Sequence, residues 1–350
     1  LITPASTKSV KIECGVFYSL VEKSDGTLWT AGWNANDTLG TGSNSDSSTF
    51  VQPAGMTGIR GMAGGWYVTS AVKNDGSLWE TGSFPAAFGI GSSAISNTFM
   101  EILTGVSQTA VGDYHTMVVK TDGTLWVAGD NTDGELGLGD NNIRSTFTQV
   151  PGMTGVVAAA TGGGQYSIIL KTDGSVWAAG ANGFGALGDG NTLDSSVFVE
   201  VLTGVKAISA GGEYHSLALK TDGTVWATGD NISGGLGTGD NIQRNSYVQV
   251  LSGVGAIASG YEHSLVIKND GTLWVSGQNY YGQLGMGDNN NRNTFVQVPG
   301  MSGITAIAAG EYHSLAIKSD GTLWATGGNI NGELGTGDNA NRNTWTQIYY

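Results

Sequence analysis

Cysteine occurs once in the 350 residues, at Cys14, so the chain can hold neither a disulfide framework nor a cysteine-based metal site. Proline occurs only five times. No apolar run approaches the ~18–20 residues that a membrane-crossing helix needs. No signal-peptide pattern stands at Leu1, although a trimmed chain would have lost one. Charged residues are 13% of the chain and the net charge is −14. That balance argues against nucleic acid and against insertion into or attachment to an anionic membrane, since those partners attract basic patches. The helical period is missing throughout. Also missing are the G-x-S-x-G elbow, H-E-x-x-H and the G-x-x-x-x-G-K phosphate loop. Glu13 beside Cys14 opposes a thiolate. These absences lead us to expect no enzyme, no cofactor and no metal.

Glycine, in contrast, is abundant, at 58 residues, and falls at fixed places in a repeat. The ruler is D-G-x-x-W, which recurs from Asp25–Trp29 to Asp320–Trp324, its tryptophans 50, 47, 51, 49, 48 and 50 residues apart. Seven units of about 49 residues fill the chain, which we read as one domain over 1–350.

In the fifth unit, "VKAISAGG", "HSLALK", "TVWATG" and "SYVQV" alternate as short strands. The three-residue "TDG" between the second and third suits a hairpin made of a type I turn and a left-handed glycine. Both faces of these strands carry apolar groups, large on one side and small on the other. Such a sheet must lie between two neighbours. The expected architecture is therefore all-β, a seven-bladed β-propeller of four-stranded antiparallel blades. One tryptophan per unit is expected to be buried between blades, each truncation costing about 3–5 kcal/mol. Because no F-x-Q-V strand precedes Ser9, we expect Trp345–Ile348 to pair into the blade of Val10–Cys14 and close the ring.

The phrase "AGEYHSLAIKSDGTLWATGGNINGELGTGDN" (Ala309–Asn339) resembles the repeat of the RCC1 (regulator of chromosome condensation) family through G-x-x-H-S-L-A, D-G-x-x-W, G-x-N-x-x-G-x-L-G and G-D. Its wording is similar to the bacterial or phage-type branch. The resemblance implies a seven-bladed propeller used for protein binding. The family's eukaryotic founder is a nucleotide-exchange factor for a nuclear GTPase, a bacterial relative inhibits a β-lactamase, and others form repeat arrays in surface proteins. The founder works through an extra protruding loop. The even spacing here leaves no room for one, so an exchange factor is not the expected reading.

His115, His215, His263 and His313 share one place in the repeat, filled elsewhere by Tyr18, Val68 and Tyr166. A metal-binding ring is one reading; a repeated hydrogen bond from the imidazole to a turn is the simpler one, and the resemblance implies it too. The "GDNxxR" loops, such as Asp240…Arg244, read as Asx turns with an exposed ion pair rather than as calcium loops. A lysine precedes every "xDG" turn, from Lys23 to Lys318, and reads as a solvated rim.

The copies differ most in their loops. Trp33, Phe84, Phe88, Phe184, Tyr280 and Tyr281 stand in glycine-rich segments after the tryptophan strand, and Trp66 and Tyr67 in the turn before the second strand of the second unit. Aromatic residues in loops give large, rigid contact area. These eight are the candidate binding residues, with units 1 and 2 the first place to look. The expected function is recognition or scaffolding of a protein partner, with a glycan-binding, lectin-like role as the alternative and an enzyme inhibitor or GTPase exchange factor as a further one. The acidic surface and the branch resemblance suggest an extracellular, cell-surface or virion location.

Overall fold

The computed structural model describes residues 8–84, 86–91, 95–163, 165–212 and 215–349. Among them lie seven four-stranded antiparallel sheets, each made from one unbroken stretch of sequence. Blade 1 runs β1 (Ser9–Cys14), β2 (Tyr18–Lys23), β3 (Leu28–Gly32) and β4 (Ser47–Val51). The same order repeats in chain order up to blade 7, which is β25 (Ile304–Ala309), β26 (His313–Lys318), β27 (Leu323–Gly327) and β28 (Arg342–Ile348). The first strand of every blade touches the first strands of its neighbours, so the first strands line a central channel and the fourth strands form the outer wall.

The ring is closed, but not by the expected route. β28 pairs with β27 of its own blade, Trp324 opposite Gln347, and contributes no strand to blade 1. Each sheet already owns four strands, so nothing has to be borrowed. Blades 7 and 1 join side by side instead. Ile12, Val21 and Phe50 share an apolar cluster with Leu315, Ala325, Leu334 and Ile348. The Gly337 amide donates to the Ser48 carbonyl at 2.7 Å, the bond that Gly42 makes to Asn97 between blades 1 and 2.

The repeat motif has a local cause. Gly26 adopts φ 77° and donates to the Lys23 carbonyl, which closes the hairpin turn. Asp25 Oδ1 accepts from the Thr27 amide and hydroxyl, and Thr27 Oγ1 accepts from Trp29 Nε1 at 2.8 Å. The tryptophans are half-buried rather than buried. One side packs on a neighbouring blade, as Trp177 does on the cluster of Met117 and Val127. The lysine of the same turn sits over the ring, 3.6 Å from its centroid for Lys23 on Trp29. The lysine rim is thus a set of ring covers.

The histidines link blades rather than turns. His263 Nε2 lies 2.9 Å from Ser314 Oγ and His313 Nε2 lies 3.0 Å from Ser19 Oγ. Both serine hydroxyls donate onward, to Gln283 O and Glu333 O, so each imidazole is the donor and carries its proton on Nε2. Tyr166 takes the same place by donating to His215 O at 2.6 Å.

Candidate functional site

β1 ends in a turn, β2 runs back, the D-G turn reverses it, and β3 returns to the first end. The turn between first and second strands and the long loop after the third therefore emerge together. Hydrogen bonds tie them: Trp33 N to Phe17 O, Ser83 N to Tyr67 O and Asp130 N to Tyr114 O, each 2.9 Å. The glycine that opens this turn has no room for a side chain. A Cβ on Gly260 would meet the His263 ring and the Gly310 carbonyl. The two residues after it are pushed out onto the face.

Those positions carry the site. Phe84 and Tyr114 are in edge contact at 5.5 Å between centroids, and Tyr67 lies 6.0 and 5.4 Å from them. Tyr67 stacks on Trp66 at 5.7 Å. Phe17 meets Trp66, Trp33 and Tyr312 at 6.1–6.2 Å. Tyr312 continues to Tyr281 at 4.7 Å and Tyr261 at 5.9 Å. The result is an unbroken aromatic crescent from blade 6 through blades 7, 1 and 2 to blade 3. All of its rings are half-buried, so each keeps part of its surface open to solvent.

The crescent borders the channel mouth, a cavity of about 290 Å³ lined by Trp66, Asp113, Tyr261, Glu311 and glycine backbone. Below it the channel continues as a cavity of about 430 Å³ lined by first-strand residues such as Ala63, Thr109, Ser209 and Ala308. Burial, reinforced by the Glu311 carboxylate, pushes Asp113 up to about 7. Burial raises Glu311 as well. Glu262, at the same level, accepts from Ser233 Oγ at 2.5 Å and Gln278 Nε2 at 2.6 Å. Cys14, at the top of β1, has its thiol raised well above the usual range by burial and then by Glu13.

Of the candidates from sequence, Trp33, Trp66, Tyr67, Phe84 and Tyr281 come together in the crescent. Phe88 does not. It is fully buried with Val68, Ala87 and Val111, in the slot that Leu39 fills in blade 1, and it leaves the candidate set. Phe184 and Tyr280 are exposed in the loops of blades 4 and 6. Sequence reasoning did not select Phe17, Tyr114, Tyr261 or Tyr312. Their shared column, one or two places before the second strand, was the available signal. Tyr214 of that column lies outside the described residues.

Residues 97–349 match the family described as the RCC1-like domain. The chain belongs to the RCC1-like domain family. Among curated proteins no relative matches this RCC1-like chain. Solved structures with the same fold include human WBSCR16, at 21% identity and a TM-score of 0.82 over 92% of this chain and 93% of that one. Yeast RCC1 (Prp20) bound to Kap60 is 20% identical, with a TM-score of 0.82 over 100% and 90%. Prp20p from Saccharomyces cerevisiae, described with its binding to Gsp1p and histones, is 21% identical, with a TM-score of 0.81 over 99% and 87%.

These matches correct three expectations. An extracellular, cell-surface or virion location is overturned by similarity to RCC1 proteins whose partners, Kap60, Gsp1p and histones, belong to the cell interior. The flat exclusion of enzymatic activity falls with it, because RCC1, as founder of the family, accelerates nucleotide exchange. The low place given to the exchange-factor alternative rested on the even repeat spacing, and the likeness to Prp20 restores it as a reading to be tested.

Proposed function

We propose that this RCC1-like propeller is a protein-binding regulator whose partner docks on the face bearing the aromatic crescent. The crescent itself carries the reading: contiguous rings partly open to solvent are the composition of interface centres, where aromatic anchors supply most of the binding energy. The rigid ring beneath presents them without rearrangement, so little ordering cost accompanies association. The direct test is partner capture by cross-linking and mass spectrometry with the wild type and with a Trp66→Ala/Tyr67→Ala variant of unchanged fold. Specific partners should be lost from the variant. Equal recovery of the same partners by both proteins would refute the assignment of this face.

A second, narrower reading is action on a small GTPase. What favours it is the likeness to Prp20p, described with its binding to Gsp1p. Release of a fluorescent guanine nucleotide from a panel of Ran-type and other small GTPases should accelerate on addition of the chain. No acceleration at any ratio of chain to GTPase would remove this reading while leaving the docking face intact.

A further inference from the structure

The face with the crescent is also where the negative charge gathers. The seven turn lysines lie at the opposite end, each over its tryptophan ring. Lys11 and Arg60 stand within the channel, toward that same far end, and Lys11 is paired with Glu22 at 2.8 Å. The cations on the crescent's own side are Arg144, Arg244, Arg292 and Arg342, and each is neutralised by the aspartate of its own loop at 2.7 Å. Most of the net charge of −14 therefore belongs to the crescent's end. Asp113 and Glu311 line the mouth cavity from blades 3 and 7, and no described lysine or arginine pairs with either.

We propose that the mouth receives a cationic side chain, a lysine or arginine from a basic segment of the partner, held by Asp113 and Glu311 beside Trp66 and Tyr261. This rests on the reading of the same face as the docking surface. Three features converge on a cation. Two carboxylates that repel each other in a partly desolvated site are both relieved by one positive charge between them. Aromatic rings beside such a charge add attraction through their π-faces. The cavity, at about 290 Å³, has room for a side chain but not for a folded body. An apolar anchor or a neutral sugar would leave both carboxylates unanswered as water is displaced.

The test is fluorescence anisotropy of the full chain with labelled glycine–serine peptides carrying four arginines, four lysines, or their neutral counterparts citrulline and acetyl-lysine. The charged peptides should bind at least about tenfold more tightly than the neutral ones, a margin of one charge-assisted contact. Binding should weaken as salt rises. Asp113→Asn with Glu311→Gln, both near-isosteric, should lower affinity about tenfold, whereas Glu101→Gln on the outer wall should leave it unchanged. Equal binding of citrulline and arginine peptides overturns the proposal without any variant. So does an equal effect of Glu101→Gln and the mouth pair. If the basic peptides fail while Trp66→Ala/Tyr67→Ala still loses the captured partner, the cation site falls and the docking face stands. If that variant keeps its partner, the docking face falls instead.

Discussion

Replacing Glu80 should stabilise the protein, and by more at neutral pH than in mild acid. Glu80 sits in β7 (Leu78–Gly82) of blade 2, fully buried, opposite Ser70 on one side and Met100 on the other. Neither carboxyl oxygen has a hydrogen-bond partner. The same register position holds Val127, Ala178, Ala227, Val275 and Ala325 in other blades. Burial raises its pKa well above the carboxylate range, so the folded protein keeps the proton. The unfolded chain releases it above about pH 4.5. Between that point and the folded pKa the unfolded state binds fewer protons, and stability falls as pH rises, by about 1.4 kcal/mol per unit. Over two units the loss approaches about 3 kcal/mol, which for a chain of this length is about 4 °C in Tm. Glu80→Val removes both this slope and the unpartnered groups, the latter worth about 1–3 kcal/mol less whatever cavity remains. Glu80→Gln removes only the slope. Calorimetric melts at pH 5, 6, 7 and 8 should show the wild type falling behind both variants as pH rises. Parallel Tm–pH curves for all three would refute the reasoning.

Asn231→Ala should cost about 2–4 kcal/mol in urea unfolding, because its buried amide donates to Thr238 Oγ1 and the Asp240 and Ile242 carbonyls and accepts from Leu236 N. Trp126→Ala should lower Tm by several degrees more than Trp33→Ala, since the first ring packs between blades and the second edges Phe17 on the open face. His263 is held neutral by burial, with its pKa lowered to about 3. Its contribution is present above about pH 6.5 and is lost as pH falls toward the folded value, so His263→Gln should flatten the acid limb of the stability profile. Asp37 holds φ 61° where the loops of blades 3 to 7 have glycine, as at Gly134 and Gly234. Asp37→Gly should therefore raise stability by about 1 kcal/mol, read as a shift in the urea midpoint.

The blades were legible because the D-G-[TS]-x-W hairpin is a closed local circuit. Asp25, Gly26, Thr27 and Trp29 satisfy one another within five residues, and the phase of the repeat follows. Ring closure was not legible from the same words. Counting strands before Ser9 suggested a missing one, whereas the bond from Gly337 to Ser48 and the cluster around Ile12 depend on residues almost a full chain apart. Tryptophan burial was over-read because alternation marks the face a side chain uses and not what covers it; Lys23 covers Trp29. In the site, Trp33, Trp66 and Phe84 stood out as aromatics in irregular segments. Phe17 and Tyr312 did not, because each adjoins the Tyr18 or His313 that begins a strand and so looked like framework. Phe88 misled for the opposite reason: it sits in a loop, yet its neighbours Val68 and Val111 make that spot apolar.

The join between blades 7 and 1 holds by side chains and a few loop bonds, with no exchanged strand. Such a seam can part like a clasp, leaving every ladder of backbone hydrogen bonds whole on both sides. Under mechanical load the molecule should open there first into a curved strip of seven intact sheets, and should snap shut again when released.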